Sequence, residues 1–236
     1  MNPPALELAL CCGALVGLVL PHAYTWLVVN PPAGAGLPPF KAGECGNSAP
    51  LCVRSGLVLV VASELCGVGL AVASAGLAWL LRDAPGGLPL LAVWLVVMHT
   101  GVLLVAVDVA VRRLPTPVIG VAALAVGVVL AGQAAATGQA RTLVTAALAA
   151  VALGGLYLAL VLAAGSRMGL GDVRLAALLG AALGTAGWPA VFVGGLLPFV
   201  LAVPEALARL ALRRTRSIAF GPYLVAGALI AVVAKS

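Results

Sequence analysis

The sequence predicts an all-α, polytopic membrane protein of about eight transmembrane helices. Of its 236 residues 63% are hydrophobic and only 8% are charged, whereas soluble domains carry about 25% charged residues. Apolar stretches of about 20 residues recur, each long enough to cross a hydrocarbon core of ~30 Å. These runs show no alternation of polar and apolar residues, which favours helices over a membrane barrel.

Eight apolar segments account for most of the chain, and residues 1–236 are predicted to form a single integral membrane domain. The first segment is interpreted as a retained span, because no Lys or Arg precedes it as in a secretory signal peptide. The sixth is short, so a full crossing and a half-buried helix are both compatible with it. The segments are 5–29, 56–81, 88–111, 117–136, 142–164, 172–185, 187–210 and 218–235.

The distribution of Lys and Arg predicts the orientation of the chain. With the amino terminus outside, ten of the 13 basic residues lie in cytoplasmic loops, including the loop at 30–55, and three lie on the other side. This bias requires every segment to cross. If the sixth does not, the four arginines at 209–216 change sides and the bias is lost. Because most of the chain is apolar span, its expected partner is the lipid bilayer, and the net charge of +6 is not a sign of nucleic-acid binding.

Two aspartates lie at the predicted cytoplasmic ends of their spans. Asp108 ends the third segment and Asp172 opens the sixth. An ionisable group at such a depth is a functional hypothesis by default. Taken singly, an ion pair of Asp108 with Arg112 and an N-cap role for Asp172 are equally compatible with the sequence. Glu64 lies deeper, about nine residues into the second segment, where a structural hydrogen bond is favoured over catalysis.

The glycines before Asp172 have a candidate function of their own. Gly169 and Gly171 allow positive φ and a close backbone approach, so an extended peptide has room to lie against the aspartate. A flexible connector before a helix is equally compatible with the same pattern.

At these glycines the sequence begins to resemble a known family. Residues 169–175 read GLGDVRL, which is similar to the Gly-x-Gly-Asp motif of prepilin peptidases, the type IV leader peptidases. Arg174 stands where Lys is usual in that family. DVAVRRLP, from Asp108 to Pro115, resembles the segment around the family's other aspartate, with Thr116 where Asn or Asp is common.

Two further segments carry the resemblance. SIAFGPYLVAGAL, near the end of the chain, is similar to the family's PFGP segment, with Ala219 in place of the first proline. Glu64, in SELCG, falls where the family has a similar glutamate. Four matches in the family's order extend from about residue 55 to the end.

The resemblance implies an intramembrane aspartic endopeptidase that removes a short basic leader from pilin-like precursors. Asp108 and Asp172 would be the catalytic pair, on the cytoplasmic side of the inner (plasma) membrane. Gly169, Gly171, Arg174 and Glu64 would bind substrate or support the pair. Glu44 and Glu205 are further candidates for binding the leader.

The chain departs from the family in its first cytoplasmic loop. Many members have two Cys-x-x-Cys pairs suited to zinc there, whereas the loop at 30–55 offers only Cys45 and Cys52. Two thiolates do not make a closed tetrahedral site, so no metal site is expected. No cofactor is expected for proteolysis. Many members also methylate the new amino terminus with S-adenosylmethionine, which this chain would need only if it retained that activity.

Two other functions remain compatible with the sequence. One is a small proton-coupled transporter that uses Asp108 and Asp172 as a relay, although no internal repeat of the transporter kind is present. The other is a non-catalytic membrane protein of pilus assembly. The oligomeric state is left open.

Overall fold

The structure is a computed structural model that describes residues 69–81, 87–111, 114–164, 169–212 and 220–234. These residues form seven α-helices and no strand. The predicted first span, the loop at 30–55 and Glu64 lie outside the described residues. The chain divides into two compact units, Met1–Arg82 and Asp83–Ser236, which are described separately.

In the first unit the structure describes one helix, α1, at Gly69–Leu80. It occupies the second half of the predicted segment 56–81. The hydroxyl of Ser74 donates a hydrogen bond of 2.7 Å to the carbonyl oxygen of Leu70. This bond to the preceding turn satisfies a polar group within an apolar helix.

The second unit contains six helices, and they match the third to eighth predicted segments. Each observed end lies within three residues of the predicted one. The helices are α2 at Gly87–Val111, α3 at Thr116–Thr137, α4 at Arg141–Ala164, α5 at Leu170–Ala186, α6 at Trp188–Ala211 and α7 at Gly221–Val233.

Four helices in the described part of the chain are long and apolar enough to cross a membrane. They are Gly87–Asp108, Thr116–Thr137, Arg141–Ala163 and Trp188–Ala208. The prediction of an all-α membrane protein is thereby confirmed. A total of eight crossing helices stays a prediction, as does the crossing of α5, which has 17 residues.

Local sequence explains where several helices begin and end. Pro115 caps the start of α3, and the helix ends at Gly138, whose φ of 66° is left-handed. Glycine takes that conformation without the steric penalty of a side chain. The backbone N–H of Gly187 closes α5 by donating to the carbonyl oxygens of Leu183 and Gly184.

Helix α5 lies at the centre of the second unit, because it contacts each of the other five helices. Its most extensive partner is α4, and glycines let the two backbones approach. A Cβ on Gly180 would lie 2.6 Å from the carbonyl oxygen of Ala149, and one on Gly184 would lie 2.7 Å from Cα of Ala146. Small residues permit such close helix packing in membranes. Asp172, in the first turn of α5, therefore belongs to the helix that contacts all the others in this unit.

Candidate active site

The carboxyl group of Asp108 is held at the start of the last helix. Asp108 lies near the end of α2 and is only 5% exposed. Its Oδ2 accepts a hydrogen bond of 3.1 Å from the backbone N–H of Gly221, the first residue of α7. The first N–H groups of a helix have no partner within it and favour a negative charge. The aspartate thus satisfies a helix end that would otherwise lack an acceptor there.

The contact with Asp108 leaves no room for a side chain at Gly221. A Cβ at that position would lie 2.8 Å from Oδ2 of Asp108, a separation that requires the carboxyl group to shift. The glycine of the FGP segment therefore has a steric role beside the aspartate.

Asp172 lies in the first turn of α5, three residues after the cap position. The N-cap residue is Gly169, and no side chain caps this helix. The N-cap interpretation of Asp172 is therefore wrong. Its backbone N–H donates to the carbonyl oxygen of Gly169 at 3.1 Å, and its carboxyl group interacts with the backbone N–H of the same glycine.

The structure brings the two aspartates together. Helices α2 and α5 contact each other, and the charge of Asp108 acts electrostatically on Asp172. The residues are 64 positions apart in the sequence, so their association depends on helix packing. Ionisable side chains within spans commonly pair in this way.

Of the two glycines of the motif, Gly169 has ordinary backbone geometry and Gly171 permits a close packing contact. Gly169 has φ −82° and ψ 145°, which any residue adopts, so the expected positive φ is absent there. Gly171 lies within the helix, and a Cβ on it would be 2.8 Å from Cβ of Leu114. The expected close approach therefore occurs at Gly171, against the connection between α2 and α3.

Arg174 is directed to the start of α3. One guanidinium nitrogen, Nη1, donates a hydrogen bond of 2.6 Å to the hydroxyl of Thr116. Both residues are exposed. Arg174 therefore links the second turn of α5 to the first residue of α3.

A group of four aromatic residues borders the pair, and the sequence analysis did not identify it. Tyr157 stacks on Phe199 at 5.5 Å between ring centroids, and Phe199 lies 5.4 Å from Phe220. Tyr223 packs against Phe220 on the other side. Phe220 and Tyr223 lie close to Gly221 in the sequence, and only this closeness to the FGP segment could have suggested that they belong to the site. No sequence pattern marked Tyr157 or Phe199.

This aromatic group is joined to polar partners. The buried hydroxyl of Tyr157 donates to the carbonyl oxygen of Gly195 at 3.1 Å, and Tyr157 is within electrostatic range of Asp172. The hydroxyl of Tyr223 donates to a carboxyl oxygen of Glu205. Aromatic rings and hydrogen-bonded tyrosine hydroxyls therefore lie together here, and Tyr157 brings this group near Asp172.

The remaining predicted site residues are not tested by the structure. Glu64, Cys45 and Cys52 lie outside the described residues. Within the part of the chain that the structure describes, no three His, Cys, Asp or Glu residues are grouped so as to hold a metal ion.

Comparison with known proteins points to one family. The family model described as the type IV leader peptidase family matches residues 90–207, half of the chain. The matched region includes both aspartates and Arg174, and ends before Gly221. No curated protein and no solved structure matches the chain.

Proposed function

Because the chain belongs to the type IV leader peptidase family, we propose that it is an intramembrane aspartic endopeptidase. It removes the short basic leader of pilin-like precursors at the cytoplasmic face of the inner membrane. The single observation that carries this proposal is that Asp108 and Asp172 lie within electrostatic range of each other, where α2 contacts α5. Aspartic proteolysis requires two carboxyl groups that share one proton.

The two carboxyl groups have complementary tasks. Two neighbouring carboxyl groups do not readily ionise together, so the pair retains one proton. The backbone N–H of Gly221 donates to Asp108 and that of Gly169 to the carboxyl group of Asp172, and such a donor suits an ionised acceptor. We assign the general base to Asp108 and the protonated role to Asp172; because each group has such a donor, the two roles can exchange.

In the first step Asp108 removes a proton from water while the water oxygen attacks the scissile carbonyl carbon. Asp172 donates a hydrogen bond to the carbonyl oxygen and stabilises the negative charge that develops there. The tetrahedral intermediate then collapses, the C–N bond breaks, and the leaving amine takes up a proton from the pair.

The substrate must present an extended segment to this pair. A peptide bond inside a helix is shielded by its hydrogen bonds, so the precursor has to unwind at the cleavage site. The extended backbone at Gly169 lies beside Asp172 and provides a surface for such a segment. The leader and the following hydrophobic helix of a pilin-like precursor would then lie in cytoplasm and bilayer, respectively.

Methylation of the new amino terminus is not part of this proposal. Cleavage by a carboxyl pair and water needs no S-adenosylmethionine and no metal ion.

Co-expression with a pilin-like precursor tests the proposal. Wild-type protein should convert the precursor to a shorter form whose amino-terminal sequence begins after the leader. Asp108→Asn and Asp172→Asn should each abolish conversion, with the protein still present in the membrane. Asp83→Asn is the matched control and should cleave normally.

Substantial conversion by either Asp108→Asn or Asp172→Asn would disprove the carboxyl pair. If wild-type protein leaves precursors intact but moves protons across vesicles in an Asp172-dependent manner, the transporter function replaces this one.

A further inference from the structure

An apolar groove runs between α3, α4 and α5, beside the candidate active site. Its volume is about 450 Å³. Glycine and alanine from all three helices form much of its surface, among them Gly120, Gly127, Ala147 and Ala177. The lining residues are all apolar except Thr116 and Arg174, which lie together at one end. The groove is therefore polar at one end and apolar along the rest of its length.

The length of the groove suits a lipid chain. It extends along α3 from Thr116 to Leu130, which is ~21 Å at 1.5 Å rise per residue. The acyl chain of one leaflet spans about half of a hydrocarbon core of ~30 Å, so the groove is long enough to hold one.

The polar end suits a phosphate group. A guanidinium group has five N–H donors in a planar fork that matches phosphate oxygens. Among the described residues Arg174 makes one hydrogen bond, to Thr116, and its side chain is exposed. The first residues of α3 and α5 lie at the predicted cytoplasmic side, where anionic lipids attract basic residues.

We propose that this groove is a binding site for one anionic phospholipid. An acyl chain lies along α3 between α4 and α5, and the lipid phosphate accepts hydrogen bonds from Arg174. The site does not depend on the proposed proteolysis, since it uses neither carboxyl group.

Native mass spectrometry of the full-length protein in detergent tests the site. Phosphatidylglycerol is titrated against phosphatidylcholine of the same chain length. Wild-type protein should bind one phosphatidylglycerol at least about tenfold more tightly than phosphatidylcholine, as expected for charge-assisted hydrogen bonds. Equal affinity for the two lipids would overturn the phosphate contact.

Two glycines allow the groove to be filled without a clash. A Cβ on Gly127 or Gly120 meets no atom within 4 Å, so Gly127→Leu and Gly120→Leu should fold and displace the acyl chain. Gly132→Leu is the matched control, since it lies on the same helix, is equally open and does not line the groove. The filled variants should bind phosphatidylglycerol at least about tenfold more weakly than the control.

Two arginine variants test the phosphate contact. Arg174→Gln should lose the preference for phosphatidylglycerol, and Arg141→Gln should keep it, because Arg141 does not line the groove.

The groove-filling variants also identify the occupant. Unchanged phosphatidylglycerol binding in both of them would exclude the groove as the lipid site. If lipid binding is unchanged but KM for a precursor rises in them, the precursor's helix is the occupant. If dimer formation is lost instead, the occupant is a second copy of the chain.

Discussion

The backbone N–H of Gly221 donates a hydrogen bond to Oδ2 of Asp108 across 113 residues of sequence. This contact fixes the carboxyl group of α2 at the first turn of α7. The charge of Asp108 also acts on Asp172 at the start of α5. Three helix ends therefore meet at one carboxyl pair, and changes at any of them are expected to alter its geometry.

Gly221→Ala is expected to reduce precursor cleavage by at least about tenfold, since misplacing a catalytic group by ~1 Å can cost up to about a hundredfold. The reason is steric, because the new Cβ would lie 2.8 Å from Oδ2 of Asp108. Cleavage rates are measured in membranes at equal protein levels. Gly155→Ala, at a helical glycine with open space around it, is the control. Wild-type activity of Gly221→Ala would show that the contact does not position Asp108.

Gly180→Ala and Gly184→Ala are expected to destabilise the protein, each by about 1–3 kcal/mol. Their new methyl groups would meet the backbone of α4 at 2.6 and 2.7 Å, which forces the two helices apart. Thermal unfolding in detergent measures the effect. Gly155→Ala, on the open face of α4, should instead be neutral or stabilising by up to ~1 kcal/mol. Equal melting temperatures for the three variants would argue against close packing of α4 on α5.

Cysteine labelling is expected to place Gln139 and Leu212 on opposite sides of the membrane. Both residues are exposed; Gln139 lies between α3 and α4, and Leu212 follows α6. The charge bias predicts that Gln139 is external and Leu212 cytoplasmic. Each single cysteine is introduced into a variant without the native cysteines and labelled with a membrane-impermeant maleimide. Labelling of both residues from outside would mean that α5 does not cross.

The double variant Cys45→Ser, Cys52→Ser is expected to cleave precursors at the wild-type rate, without added S-adenosylmethionine. Two cysteines cannot complete a structural zinc site, and hydrolysis by a carboxyl pair needs no metal ion. Metal analysis of purified wild-type protein should find no stoichiometric zinc. One zinc ion per chain, lost together with activity in the double variant, would contradict this expectation.

The helices could be predicted from the sequence because their signals are local. Apolar length alone located α2 to α7 to within three residues at each end. Proline and glycine signals lie at the ends of α3, at Pro115 and Gly138. The family resemblance also rested on short segments, and the family model confirms it over residues 90–207.

Other features of the site could not be derived in this way. Whether the glycines use the positive φ they permit could not be derived: Gly169 has φ −82° and ψ 145°, which any residue adopts, and Gly171 lies within α5. The aromatic group around Tyr157 had no sequence signal, since Tyr157 and Phe199 lie in long apolar stretches of their helices. In such helices the pattern does not show which face meets a neighbour.

The sequence by itself determined the membrane class, the helix positions and the place of two aspartates near the end of α2 and the start of α5. Each of these follows from residues that are near one another in the chain. Only the tertiary structure decided that Gly221 contacts Asp108, that Asp172 follows the cap of its helix, and that Arg174 contacts Thr116. The two hydrogen bonds join residues 58 and 113 positions apart. The position of Asp172 in its helix depends on where α5 begins. These contacts are set by how small residues allow the helices to pack around α5, which no local pattern encodes.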